Sequence, residues 1–231
     1  MSDSLNPKIC FDSEGILAID HFQTNHAFDL LGNGLKERLT AYLNELGCDQ
    51  DPVVKGEVHP QAVLEGPVYV SAGAKIGPGA YIVGPCFIGK DAEVRHSAFI
   101  RGFVYAGASS VIGHTTEVKG SVFGRNAKAG HFAYVGDSLI GDNCNLGAGT
   151  KLANLKMDKS LVKYCDPDTG KRVGSGLKKF GAVLANGSQT GCNAVLSPGS
   201  ILMAETAVMP CHHFLGTLMS GVAGSKSETI R

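Results

Sequence analysis

From Val58 onward an aliphatic residue recurs at every sixth position: Val58, Leu64, Val70, Ile76, Ile82, Ile88, Val94, Ile100, Ala106, Ile112 and Val118, with Ala106 the one weak member. Four residues after each comes a compact side chain: Ala62, Val68, Ala74, Ala80, Cys86, Ala92, Ala98, Val104, Ser110, Thr116 and Val122. The step shortens to five at Phe123, continues through Ala129 and Val135, shortens again at Ile140, and runs on through Leu146 to Leu152. The pattern resumes later at Leu184, Thr190, Leu196, Leu202, Val208 and Phe214, with Ser188, Ala194, Ser200 and Thr206 in the compact positions. Two inward positions in every six predict a parallel β-helix, in which each short strand buries one aliphatic and one small residue and successive turns stack into a continuous core. A β-sandwich would instead show alternating strands and irregular turn spacing. Glycines after the aliphatics, among them Gly77, Gly89, Gly113, Gly136, Gly141 and Gly147, are expected at tight corners that need unusual backbone angles.

Two regions leave the repeat. In "LGNGLKERLTAYLNELG", Leu35, Leu39, Tyr42, Leu43 and Leu46 share one helical face and Gly47 supplies a stop, which predicts a helix packed on the first coil as a small N-terminal cap. The stretch "NLKMDKSLVKYCDPDTGKRVGSGLKK" is polar and turn-rich around "DPDTG" and predicts a long protruding hairpin or loop at about 155–178. The expected organisation is an N-terminal segment with the capping helix at 1–52, a β-helix at 53–220, and a flexible tail at 221–231.

Thirty-one glycines and no tryptophan suit a repeat packed from small side chains. Twenty-one basic and twenty-one acidic residues balance to a formal charge of zero, which argues against a nucleic-acid partner held by phosphate electrostatics. Seven cysteines with no CxxC pair indicate neither a disulfide framework nor a cysteine zinc site. No segment reads as a signal peptide or membrane span, so no membrane partner and a cytoplasmic location are expected.

The run "RGFVYAGASSVIGHTTEVKGSVFGRNAKAGHFAYVGDSLIGDNCNLGAGTKLANLKMD", with "GLKKFGAVLANGSQTGCNAVLSPGSIL", resembles the acetyltransferase domain of bifunctional bacterial N-acetylglucosamine-1-phosphate uridylyltransferases. It is still more similar to the C-terminal domain of archaeal sugar-1-phosphate nucleotidylyltransferases. The likeness spans roughly residues 58 to 218, and 130 to 154 is its most specific part. The resemblance implies an all-β fold, a left-handed parallel β-helix. It also implies transfer of acetyl from acetyl-CoA to the amine of an amino-sugar 1-phosphate, by a homotrimer with sites between subunits and without a required metal. No "GGxGTR"-like loop precedes the repeat, so nucleotidyltransferase activity is not expected of this chain.

Residues 18 apart, or 17 across a shortened side, should sit on neighbouring coils about 4.8 Å apart. By that rule Arg101 and Lys119 stand side by side and could clamp one phosphate, and the resemblance places them at phosphate-binding positions. His131 and Ala148 are 17 apart. Acyl transfer to an amine needs a base and a donor to the developing oxyanion, the roles the resemblance implies for His131 and for the Ala148 backbone N–H. It also implies that Tyr134 and Asn145 contact the sugar and that Asn154 contacts the coenzyme. Lys178 or Lys179 would hold the sugar phosphate, and Cys192 stands where a coenzyme-contacting serine is found.

His96, His114 and His131 are spaced by 18 and 17 and predict a single column. Three histidines admit a metal, as in carbonic anhydrases built on this helix, but a straight ladder does not converge on a tetrahedral ion. Neighbouring imidazoles are expected to depress the proton affinity of His131 and keep it available as a base. Adjacent residues of "CHH" at 211–213 point to opposite faces and predict an ordinary terminal coil. Two rival functions remain: a non-catalytic trimeric module that binds sugar nucleotides, and a metal-dependent lyase.

Overall fold

In the computed structural model, which describes residues 5–224, the repeat folds as expected into a left-handed parallel β-helix. Its strands stack in three parallel sheets, one per side of a triangular coil. Face 1 includes Val68–Val70, Cys86–Ile88, Val104–Ala106, Val122–Phe123, Leu139–Ile140 and Ala182–Leu184. Face 2 includes Glu93–Val94, Val111–His114, Lys128–His131, Asn145–Leu146 and Gln189–Thr190. Face 3 includes Phe99–Arg101, Glu117–Lys119, Tyr134–Gly136, Lys151–Leu152 and Val195–Leu196. The register follows the sequence spacing: Ile112 pairs with Val94 and Ala129, and Val118 with Ile100 and Val135.

The inward residues form one apolar column from Val68 to Val208. Each coil is too thin to bury its own apolar face, so burial comes from the coils above and below. Ala106, the weak member of the pattern, is paired on face 1 with Phe123, the one aromatic among the buried inward residues. The large ring beside the small side chain conserves volume within the column.

The glycines after the aliphatics do a different job from the one expected. Gly113 and Gly147 do not adopt positive φ; the left-handed turns fall two residues later, at Thr115 (φ 50°) and Gly149 (φ 73°). What Gly113 provides is close approach: a Cβ there would stand 1.8 Å from the Gly130 carbonyl oxygen on the next coil.

The N-terminal helix is present at Gly32–Glu45, with Leu35, Leu39 and Leu43 buried. It packs along the flank of the β-helix. The physical reason is the outer surface of face 1, where Phe87, Tyr105, Val122, Leu139, Val183 and Ile201 are apolar and need cover. Short 3₁₀ turns between Pro7 and Leu30 place Phe11, Phe22 and Leu30 in the same second core. Asp142 ties the segment to a corner: its carboxylate accepts the N–H of Arg125 (2.6 Å) and of Asp12 (2.9 Å).

The hairpin expected at 155–178 pairs Lys163–Cys165 with Arg172–Gly174, and its tip is an Asx turn in which Asp166 accepts the N–H groups of Asp168 and Thr169. Part of it is anchored on the flank. Val162 is fully buried, and the Tyr164 ring sits 4.8 Å from Phe28, itself 4.9 Å from Phe180. At the other end, Val222–Ala223 pairs with Ala207–Val208, so the ordered coil extends into the stretch expected to be loose, whose remainder, 225–231, lies outside the described residues.

Candidate active site

Face 3 and its two edges gather nearly all the candidate residues. At the corner between faces 2 and 3, successive coils present His96, His114, His131, Ala148 and Cys192 in one column. The pairing of His114 with His131 fixes the upper rungs, and that of Asn145 with Lys128 and Gln189 extends the register downward. Local backbone geometry makes this corner: Ser97, Thr115, Phe132 and Asn193 all have positive φ, between 35° and 58°, just after the column residue. For Thr115 and Phe132 that conformation costs on the order of 1–2 kcal/mol each.

Within the column the His131 carbonyl accepts the Gly149 N–H at 3.0 Å, and the Ala148 carbonyl accepts the Asn193 N–H at 2.8 Å. The Ala148 N–H donates to no described residue. The three imidazoles follow one another along the column: the rings of His96 and His114 are parallel within 9° at 5.2 Å, and those of His114 and His131 meet edge-on at 5.1 Å. The proton affinity of His114 is lowered. Partial burial and the neighbouring His131, His96 and Arg95 hold it below the usual histidine value and so keep it neutral near pH 7.

His114 Nε2 lies 3.0 Å from His131 Nδ1, a direct hydrogen-bonding distance. Two nitrogens bound to one tetrahedral zinc at about 2.0–2.1 Å each would stand roughly 3.3 Å apart, so this contact is too close to bridge an ion. Among the described residues no group of three or more His, Cys, Asp or Glu is placed to hold a metal. At the terminal coil His213 hydrogen-bonds the Ser197 hydroxyl (2.7 Å).

At the opposite edge of face 3, a cavity of about 980 Å³ is lined by Arg101, Lys119, Lys178 and Lys179. The structure thus brings both candidate lysines beside Arg101 and Lys119. The cavity is closed by groups the repeat does not reveal: Lys36 and the glycines at the start of the N-terminal helix, with Asp29 and Asp137 as its acidic lining. Arg101 and Lys119 do not stand as a bare clamp. Arg101 pairs with Glu117 at 2.6 Å and Lys119 with Asp137 at 2.7 Å. The rung partner of Lys119 is Gly136, and Asp137 is the next residue, so the coil spacing brings Asp137 near without fixing the pairing. The N-terminal contribution has no sequence signal of that kind.

Between the two edges, the Tyr134 hydroxyl donates to Asn154 Oδ1 (3.3 Å), and Asn154 Nδ2 donates to the Asp137 carboxylate. Asn154, expected beside the coenzyme, therefore belongs to the network that holds Lys119, while Cys192 lies on the His131 column. Burial, then the charges of Glu117 and Asp137, pushes the Tyr134 hydroxyl up, leaving it a neutral donor. Gly136 allows the crossing, since a Cβ there would sit 2.7 Å from Asn154 Nδ2 and 2.8 Å from the Tyr134 hydroxyl. Asn145 stands apart, exposed on face 2 between Lys128 and Gln189.

Gly113 offers a direct test of this corner. Gly113→Ala should destabilise the protein by about 1–3 kcal/mol, because its Cβ meets backbone that cannot yield, and should separate His114 from His131. Gly130→Ala on the next coil, whose Cβ would meet nothing nearer than the Arg95 side chain at 3.8 Å, should change stability by less than about 0.5 kcal/mol. Thermal unfolding of the two variants measures the contrast, and equal midpoints would contradict the close packing at this rung.

Comparison with known proteins places these features in context. Residues 82–208 match the family described as GMPPB C-terminal domain. A bifunctional sugar-1-phosphate nucleotidylyltransferase/acetyltransferase of Sulfurisphaera tokodaii is 40% identical over 90 residues, 39% of this chain and 22% of that protein. The bifunctional protein GlmU of Methanococcus aeolicus is 35% identical over 176 residues, 70% of this chain and 42% of that protein. The chain thus spans less than half the length of these curated relatives. Among solved structures, a UDP-N-acetylglucosamine acyltransferase from Campylobacter jejuni aligns with 71% of this chain and 66% of its own, at 18% identity and a TM-score of 0.35.

Proposed function

This chain belongs to the GMPPB C-terminal domain family, which covers more than half of it, and from that footing we propose that it transfers acetyl from acetyl-CoA to the amine of an amino-sugar 1-phosphate, glucosamine 1-phosphate or a close relative. The observation that carries the reading is the division of face 3. One edge holds an imidazole one rung from a backbone N–H that donates to no described residue, and the other opens on a cavity lined by several cations. The names of the similar archaeal proteins, which include an acetyltransferase, support the same chemistry.

In the proposed reaction the acceptor amine attacks the thioester carbonyl carbon while His131 Nε2 takes the amine proton. The Ala148 N–H holds the oxyanion, in the preorganised manner that makes such donors effective. Collapse of the tetrahedral intermediate breaks the carbon–sulfur bond, and the departing thiolate receives the proton from the His131 imidazolium. Arg101, Lys119, Lys178 and Lys179 hold the phosphate, Tyr134 meets the sugar with Asn154 bracing Lys119 through Asp137, and Cys192 lines the approach of the coenzyme. The assembly proposed with this reading is a homotrimer, and the proposed setting is the cytoplasm.

Release of free thiol from acetyl-CoA, measured across a panel of amino-sugar phosphates, tests the reaction. No release with any acceptor would leave a non-catalytic module. Within the panel, Lys119→Ala should raise the acceptor KM about tenfold or more and leave the KM for acetyl-CoA unchanged, since a hydrogen bond to a charged phosphate contributes about 1.5–3 kcal/mol. An equal rise in both constants would remove Lys119 from the acceptor side.

A further inference from the structure

The corner that carries His131 contains a directed chain of hydrogen bonds. His131 Nδ1 faces His114 Nε2 at 3.0 Å, His114 Nδ1 faces the Thr115 hydroxyl at 3.2 Å, and that hydroxyl is 2.8 Å from the His114 carbonyl oxygen. A hydroxyl has one proton, and the shorter contact, 2.8 Å against 3.2 Å, assigns it to the carbonyl, which accepts only. Toward His114 the Thr115 oxygen is therefore an acceptor, and His114 must carry its proton on Nδ1. That leaves His114 Nε2 with a bare lone pair, whose partner across 3.0 Å must be a protonated His131 Nδ1. No described residue hydrogen-bonds His131 Nε2.

From this geometry we propose that His114 is a positioning residue, holding His131 in the tautomer that carries its proton on Nδ1 and leaves Nε2 bare to act as the base. The inference rests on the reading of His131 as the general base. An imidazole with no such partner favours the proton on Nε2, the atom that has to be vacant, so the partner converts an unproductive tautomer into a productive one. His96 holds the plane of His114 by stacking at 5.2 Å, and Thr115 is kept in place by its left-handed backbone at the corner. A neutral His114 is essential to the arrangement, because a protonated one would donate from both nitrogens and reverse the chain. The column therefore works by orienting a proton.

The test combines two variants with two readouts on the full chain. His114→Phe keeps a ring of similar size but cannot accept; His114→Gln places an amide oxygen where Nε2 stands and can. Nitrogen-15 NMR of the wild type should show His131 protonated at Nδ1 and bare at Nε2, with the His114→Phe variant shifted toward the other tautomer. In thiol-release assays His114→Phe should lower kcat about tenfold or more with both KM values little changed, and His114→Gln should recover most of the loss. A wild-type His131 protonated at Nε2 would overturn the inference, as would full turnover by His114→Phe or a His114→Gln no better than the Phe variant. Absence of thiol release from the wild type would instead remove the acetyltransferase reading, while the NMR result would still decide the tautomer.

Discussion

Replacing His131 with alanine should lower kcat for acetyl transfer by roughly 10²–10⁴-fold, the range over which a positioned general base contributes. Nothing comparable should happen to folding, because the side chain is exposed at a corner and its removal leaves no cavity. The main chain supplies this position's structural role: the His131 carbonyl accepts from Gly149 at 3.0 Å, and alanine keeps that bond. Unchanged circular dichroism and thermal midpoint with lost thiol release is the expected combination. A variant that retained more than about a tenth of wild-type turnover would show the imidazole to be structural, and the oxyanion donor and positioning terms alone would have to account for the rate.

The second large effect is on stability. Phe123→Ala should cost about 3–5 kcal/mol, because the ring is fully buried and stands beside Ala106, which cannot expand into the void. Its other neighbour, Ile140, belongs to the second shortened side, so the gap would open where two adjacent coils have one residue fewer to rearrange. Urea unfolding monitored by far-ultraviolet circular dichroism measures the loss. Pairing Phe123→Val with Ala106→Leu redistributes volume across the same rung and should recover part of it. A cost below about 1 kcal/mol for the single variant would mean that the coils collapse onto each other more freely than stacked strands at fixed spacing allow.

Both results follow from features that differ in how visible they are in the sequence. The inward residues, the shortened sides and the histidine column could be read from spacing alone, since a coil repeats at a fixed length and each residue has one possible neighbour above and below. Ala106 broke the pattern in sequence and was explained only by the ring paired with it. The glycines had the opposite history: their positions were legible, their purpose was not. Whether Gly113 turns the chain or permits a close approach depends on what the next coil places against it, here the Gly130 carbonyl.

The candidate site divides in the same way. That Arg101 aligns with Lys119, and His131 with Ala148, is a property of the repeat. The ion pairs of the two cations with Glu117 and Asp137, and the reach of Asn154 to Asp137, depend on side-chain rotamers that the repeat length does not specify. So does the proton order in the His131–His114–Thr115 chain.

The sequence by itself determined the β-helix, its register and the rungs on which the candidate residues stand, because those follow from a period of six and a strand spacing set by hydrogen bonds. Only the tertiary structure decided that the N-terminal segment and the hairpin fold over face 1, and that Lys36 and the start of the Gly32–Glu45 helix close the basic cavity. Those segments carry no repeat. Their place is set by burial of apolar surface against residues distant in the chain, a non-directional force that a local pattern does not encode.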